Sequence, residues 1–189
     1  TYNFTLRIGL PQLELGAFST SVISTTSAAA TRAADLALVN VNRWFYDTEG
    51  TLFAQTIKGF TGNFVNYPHT AGLSDGTSSN RIWAGYGVDA SQHITPDIAT
   101  GGSSQLTYTV GLYSMTSVKN AIAYKNNDSQ WAFNGTTSAT DTLCTIPSNL
   151  NKLNIGSDSV GGQCWNGWIR SIKYYPRRLT DAELITLTT

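Results

Sequence analysis

The amino-acid sequence predicts an all-β fold, an antiparallel β-sandwich with one short C-terminal helix. Three observations predict it. Short runs rich in Val, Ile, Tyr, Thr and Trp recur along the 189 residues, and Gly, Asn, Asp and Ser clusters separate them. Inside the runs, apolar residues alternate with polar ones, which is the pattern of strands with one face inward and one outward. A helical signal appears only near the end of the chain.

Taken in order, the strand-like runs are Tyr2–Ile8, Gly50–Ile57, Asn63–Tyr67, Arg81–Val88, Gln105–Ser114, Lys119–Lys125, Ser129–Asn134, Lys152–Ile155 and Gly167–Tyr175. Alternation is clearest in Leu106, Tyr108, Val110 and Leu112, and again in Ile82, Ala84, Tyr86 and Val88. Trp131 and Phe133 share a face in the same way. Asn126-Asn127-Asp128 and Asn134-Gly135 carry the residues that tight turns need, because Asn and Gly tolerate positive φ. The stretches 72–80 and 94–104 read as exposed loops. At the end, Thr180-Asp181-Ala182-Glu183 matches a capping box, after which Leu184 and Leu187 are spaced to face the sandwich. Pro176 stops the strand before it.

The first thirty residues differ. After the run Tyr2–Gln12, the Ser/Thr/Ala stretch Ser19–Ala30 lacks apolar periodicity. Residues 1–30 are therefore expected to be the end of a preceding domain plus a linker, and residues 31–189 the sandwich. Thr1 in place of Met, with no charged-then-apolar leader, reads as a cut end of a longer chain.

Composition narrows the function. Charged residues make up 13% of the chain, about half the usual share, so Thr, Ser, Asn and Gly must supply the polar surface. The net charge is zero and the largest basic cluster is Lys173 with Arg177 and Arg178, which argues against nucleic acid as a partner. No apolar run approaches the roughly 20 residues of a membrane-spanning helix. The only cysteines are Cys144 and Cys164; they fit either a disulfide or two small buried residues, and two thiols alone make a poor zinc site.

Two segments resemble a known family. The C-terminal stretch Trp165–Leu187, through Gly167, Ile169, Ile172, Tyr174, Arg178, Leu179, Thr180 and Glu183, resembles the ending of laminin-G-like, concanavalin A-like jelly-roll domains. Its Tyr-Tyr-Pro-Arg-Arg-Leu form at Tyr174–Leu179 is similar to bacteriophage tail and virion proteins. The stretch Gln12–Asp35, through Thr20, Ser21, Ile23, Thr25, Thr26 and Thr31–Asp35, is similar to a junction in phage structural proteins. Val22 and Ser24 stand where that junction usually carries Tyr and Pro. Trp44 and Glu49-Gly50-Thr51 also resemble the first strand region of the domain. The middle of the chain matches only in strand rhythm. The resemblance implies a jelly-roll sandwich of the lectin/glucanase type, placed on a virion and extracellular when it acts. It also implies a Ca2+ ion as a candidate cofactor, for which Asp75, Asp89 and Asp158 are the loop carboxylates.

Catalysis finds little footing. Glycan-cleaving jelly rolls need two carboxyls roughly 5 to 9 Å apart, and Glu14, Glu49 and Glu183 are not spaced to pair on one strand. Gly72-Leu73-Ser74-Asp75-Gly76 matches Gly-x-Ser-x-Gly in letters only, since no helix follows it. His69 and His93 are too isolated for a metal pair. Sugar rings, by contrast, are met by aromatic plates beside polar donors and acceptors. Trp83, Trp131 and Trp165, with Tyr113 behind them, are the candidates, while Trp44 and Trp168 read as core. The expected function is a non-catalytic carbohydrate-binding or adhesion domain of a phage tail fibre, spike or head fibre. Its partners would be a host surface glycan and other virion subunits, a second copy of the chain among them. A purely structural virion domain is the first rival and a polysaccharide depolymerase the second.

Overall fold

The computed structural model describes residues 3, 5, 9, 13, 22–25, 27–30, 36–59, 66–88, 93–106 and 117–189. The chain divides into two compact units, Thr1–Ala34 and Asp35–Thr189. In the first, Leu13 and Val22 are exposed. The second is an antiparallel sandwich of two sheets with one short helix at its C-terminus. Of the expected strands Tyr2–Ile8, Asn63–Tyr67 and Gln105–Ser114, most residues lie outside the described ones; the described Asn3, Thr5, Tyr67, Gln105 and Leu106 are not in strands, and Asn66 is a bend.

Among the described residues, one sheet has six strands in the order β1–β10–β3–β4–β5–β6, made of β1 (Ala37–Asn40), β10 (Lys152–Ile155), β3 (His69–Ser74), β4 (Arg81–Gly87), β5 (Ile94–Thr100) and β6 (Ser103–Ser104). The other has five in the order β11–β2–β7–β8–β9, made of β11 (Gly167–Tyr175), β2 (Glu49–Lys58), β7 (Val118–Lys125), β8 (Gln130–Phe133) and β9 (Thr136–Thr137). Between them lie Leu52, Ala54, Leu73, Ile82, Ile98, Ile122 and Trp131, all fully buried. Each large apolar side chain removed from water there contributes about 1.5–3 kcal/mol. The turns between β7, β8 and β9 follow their sequences. Asn127 takes φ 57°, and Asn134 and Gly135 take φ 44° and 79°, the left-handed values a tight hairpin requires.

The stretch 94–104 is not a loop. Ile94 and Ile98 are buried and carry β5 into the sheet, although Pro96 and Asp97 interrupt the apolar pattern that would have marked it as a strand. β4 also departs from simple alternation. Its pairing shifts between Trp83 and Tyr86, as in a β-bulge, so Tyr86 joins the face of Trp83 rather than that of Ile82. The Ala84 carbonyl accepts from Asn120 Nδ2 (2.7 Å) and Trp131 Nε1 (3.1 Å), which tie the two sheets together.

A second, smaller core forms on the outer side of the five-stranded sheet. Phe53, Ala121, Ala123 and Ala132 make a low floor on which Leu179 and Leu184 pack. Leu184 belongs to α1 (Asp181–Thr188), whose capping box is formed as its sequence predicts: Thr180 N donates to Glu183 Oε2 at 2.9 Å, and Glu183 N donates to Thr180 Oγ1 at 3.4 Å. The Arg177 guanidinium and these backbone and hydroxyl donors hold the Glu183 carboxyl down to about 2. Arg178 is no solvated surface charge. It is mostly buried and bonds Asp128, Asp181 and Gln130, stapling the helix to the β7–β8 turn. Cys144 is buried and Cys164 exposed, and both are free thiols.

Candidate functional site

The outer face of the six-stranded sheet carries a cluster built around one glycine. Cross-strand pairing sets Asn154 (β10), Gly72 (β3), Trp83 (β4) and Asp97 (β5) in a single row. Gly72 has no side chain, and the Trp83 indole lies over it; a Cβ there would sit 1.9 Å from Trp83 Cδ1. Two residues earlier on the same strand, Arg81 places its guanidinium over the indole, 4.7 Å from the ring centre. Asp97 fixes that group, accepting from Arg81 Nε at 2.6 Å through Oδ2 and from Ser104 Oγ at 2.9 Å through Oδ1. Arg81 Nη1 donates to the Ser78 carbonyl.

The stack thus runs from backbone to indole to guanidinium. Trp83 is only 6% exposed because it is covered on both sides, while the Arg81 side chain keeps 20% of its surface in water. A guanidinium clamped in this way is preorganised, and the buried Asp97, both of whose oxygens are already bonded, balances its charge.

Aromatic rings extend the cluster. Tyr86 meets the Trp83 indole edge to face at 5.9 Å, and Tyr67 lies 6.4 Å from Tyr86. Tyr67 is 42% exposed. It and Asn66 take φ 47° and 60°, so two consecutive non-glycine residues adopt a left-handed conformation where the exposed ring is presented. Such residues cost on the order of 1 kcal/mol each and tend to persist at functional positions. Burial pushes the Tyr86 hydroxyl up, and the Asp97 charge adds to it. His69 stacks on Tyr86 at 5.3 Å and abuts Trp83. Burial, aided by the Arg81 charge, pulls His69 down to about 3, so it is neutral near pH 7. Asn154, fully buried, donates to Ser74 Oγ at 3.0 Å; its Oδ1 and Trp83 Nε1 have no hydrogen-bond partner among the described residues.

Of the residues singled out from sequence, Trp83 belongs to this cluster, as the base of a stack rather than as an open plate. Trp131 is fully buried between the sheets with its N–H bonded to Ala84, so it has no face to offer a ligand. Trp165 packs in the same core, at 9% exposure. Tyr113 and Asp89 lie outside the described residues. Asp75 serves its own turn, accepting from Thr77 N and Oγ1 and from Asn80 Nδ2; burial works to raise its carboxyl, but these bonds outweigh it and hold it below the usual range. Asp158 likewise accepts from Val160 N and Gly162 N. Among the described residues no group of three or more His, Cys, Asp or Glu is placed to hold a metal ion. Ser74 ends β3, bonded to Asn154 and Gly76 N, away from any strand-to-helix elbow. Trp168, which reads as core, is 62% exposed on β11. Trp44 is half-buried and walls a cleft of about 560 Å3 with Leu153, Ile155, Ile172, Tyr174 and Pro176.

Sequence reading missed Arg81, Asp97, Tyr86 and Tyr67. The i, i+2 spacing of Arg81 and Trp83 was legible, but their alliance with Asp97 depends on a strand that Pro96 disguises.

No family model matches the chain, and no curated protein matches it in sequence. Solved structures do match in shape. The CBM40 module of the Ruminococcus gnavus IT-sialidase, bound to α2,6-sialyllactose, superposes with a TM-score of 0.62 at 14% identity over 84% of this chain and 96% of that one. Domain 4 of AbnA, a GH43 extracellular arabinanase from Geobacillus stearothermophilus in complex with arabinotriose, gives 0.59 at 9% identity over 83% and 82%. A leech intramolecular trans-sialidase complexed with 2,7-anhydro-Neu5Ac gives 0.59 at 18% identity over 84% of this chain and 26% of that one. At these identities the likeness establishes the fold, a lectin-like antiparallel sandwich.

Proposed function

We propose that this chain is a non-catalytic carbohydrate-binding domain whose glycan site is the Arg81–Trp83–Tyr86–Tyr67 cluster. The observation that carries the reading is the guanidinium set over an indole, charge-balanced by Asp97, with Tyr86 linking that indole to an exposed tyrosine. Guanidinium donors suit the hydroxyls of a sugar, and a tyrosine face suits the C–H side of its ring. Structures of the same fold bound to sialyllactose and arabinotriose support it. The carboxylates argue against hydrolysis: Asp97 is bound to Arg81, Glu183 caps the helix and Glu49 accepts from Arg178 N.

The finer role rests on the phage-like motifs at Gln12–Asp35 and Tyr174–Leu179. In that role the domain sits on a tail fibre, spike or head fibre and contacts host surface polysaccharide. It gains avidity from several copies.

Calorimetric titration of the domain with 3′- and 6′-sialyllactose, arabinotriose and host-envelope polysaccharide tests this, with a sizing run on the same polymer. Binding with polymer of unchanged length is the expected result, weakened about tenfold or more in Tyr67→Ala and Arg81→Gln. No heat with any of these would overturn the glycan reading and favour a structural virion domain. Shortened polymer would make the protein a depolymerase.

A further inference from the structure

The outer face of the five-stranded sheet is only half covered. α1 lies over Phe53, Ala121 and Ala123, while on the other half Gln55, Ile57 and Lys119 are half-buried and Trp168, Arg170 and Lys173 exposed. There Trp168 pairs with Ile57, Ser171 with Gln55 and Lys173 with Phe53, while Lys119 flanks Gln55 from β7. This face alternates with the inward-facing Ile169 and Ile172, so Trp168 and Lys173 point away from the core. A register shift between Ile169 and Ser171 makes Arg170 an extra, exposed residue at the strand's bulge. Trp168, at 62% exposure, is the most exposed tryptophan of the chain. Gly167 beside it admits the close approach of β2, since a Cβ there would lie 2.1 Å from the Ile57 carbonyl oxygen. Lys173 Nζ sits over the Phe53 ring at 5.5 Å, at the edge of the helix.

The charge of this patch is one-sided. The strand segments 53–58, 118–121 and 167–173 that frame it contain no Asp or Glu, whereas they contribute Lys119, Arg170 and Lys173 to it. At roughly 3.4 Å per residue and 4.8 Å between strands, the platform runs about 14 Å along β2 from Ile57 to Phe53, the partners of Trp168 and Lys173, and about 10 Å across to β7. We propose that this platform is a second binding site, distinct from the Arg81 cluster, for a carboxylate-bearing polysaccharide: Trp168 stacks on a sugar ring, and Arg170, Lys173 and Lys119 meet the acidic groups of its neighbours. On the opposite face the Arg81 guanidinium is already paired with Asp97. The proposal stands whether or not that face binds glycan.

An oligogalacturonate hexamer and its methyl ester are the probes, titrated calorimetrically at 20 and 200 mM salt into the intact chain. The acid binds and weakens with salt, while the ester binds at least tenfold more weakly. Trp168→Ala weakens the acid tenfold or more, and Lys173→Gln with Arg170→Gln flattens the salt dependence, with melting temperatures unchanged. Arg81→Gln leaves acid binding intact, which separates this site from the first. Equal affinity for acid and ester, or full affinity in Trp168→Ala, would overturn the proposal. So would a Trp168→Ala change that turns an oligomer into a monomer by sedimentation, because the platform would then be a subunit contact.

Discussion

Trp83 and Trp168 both point outward, on opposite faces of the sandwich, yet one is buried and the other open. Both follow the outward beat of a strand, and both stand beside a cation-bearing residue two positions away. The difference lies in their cross-strand neighbours. Trp83 is opposite Gly72 on one side and Asp97 on the other, so its ring lies down on bare backbone and an Arg–Asp pair closes over it. Trp168 is on an edge strand opposite Ile57, a branched side chain, and the strand segments beside it carry no Asp or Glu to hold Arg170 above it. Outward alternation therefore marks a candidate binding residue, but the partner strand decides whether the ring becomes a plate or a pedestal.

Truncation should separate the two faces most sharply. Trp83→Ala removes a buried ring and is expected to cost about 3–5 kcal/mol in denaturant unfolding. Trp168→Ala should stay within about 0.5 kcal/mol, as surface substitutions do. Comparable losses at both positions would break the comparison. Gly72→Ala tests the pedestal itself. A methyl 1.9 Å from the indole displaces it, at an expected cost of about 1–3 kcal/mol with weakened glycan binding.

Acid sharpens the contrast next. His69 lies against Trp83 and is held at about 3 when folded, below the ordinary 6.5. Below pH 6.5 the unfolded chain takes up a proton that the folded chain refuses, so this stability is present above that pH and is lost as pH falls toward 3. Between pH 7 and 5 the loss is about 2 kcal/mol, at 1.36 kcal/mol per pKa unit. A chemical-denaturation series in His69→Phe should show a shallower pH dependence, and an unchanged slope would remove His69 as the cause. Smallest of all, Arg177→Ala on the helix side breaks an exposed pair with Glu183 and should leave the thermal unfolding midpoint nearly unchanged.

The sequence foretold the features that depend on neighbours in the chain. The β7–β8 and β8–β9 turns, β10, β11 and the capped helix follow from Asn127, Asn134-Gly135 and Thr180-Asp181-Ala182-Glu183, where the cause and the effect lie within a few residues. The features that escaped depend on distant pairing. The shift after Trp83 moves Tyr86 to the other face, β5 hides behind Pro96 and Asp97, and Trp131 is drawn inward by a carbonyl that the bent β4 presents. Trp83 was recognisable as a candidate from its polar surroundings. Its role as the base beneath Arg81 was not, because Gly72, Asp97 and Trp83 come together only through the sheet.

The most direct test reads the indole N–H signals of the five tryptophans by 15N-correlated NMR while the glycan that binds in calorimetry is added. Glycan at the Arg81 cluster shifts the Trp83 indole signal and the Arg81 Nε–H, and leaves that of Trp131, sealed between the sheets, in place. A saturating titration in which Trp83 and Arg81 do not move would contradict the account.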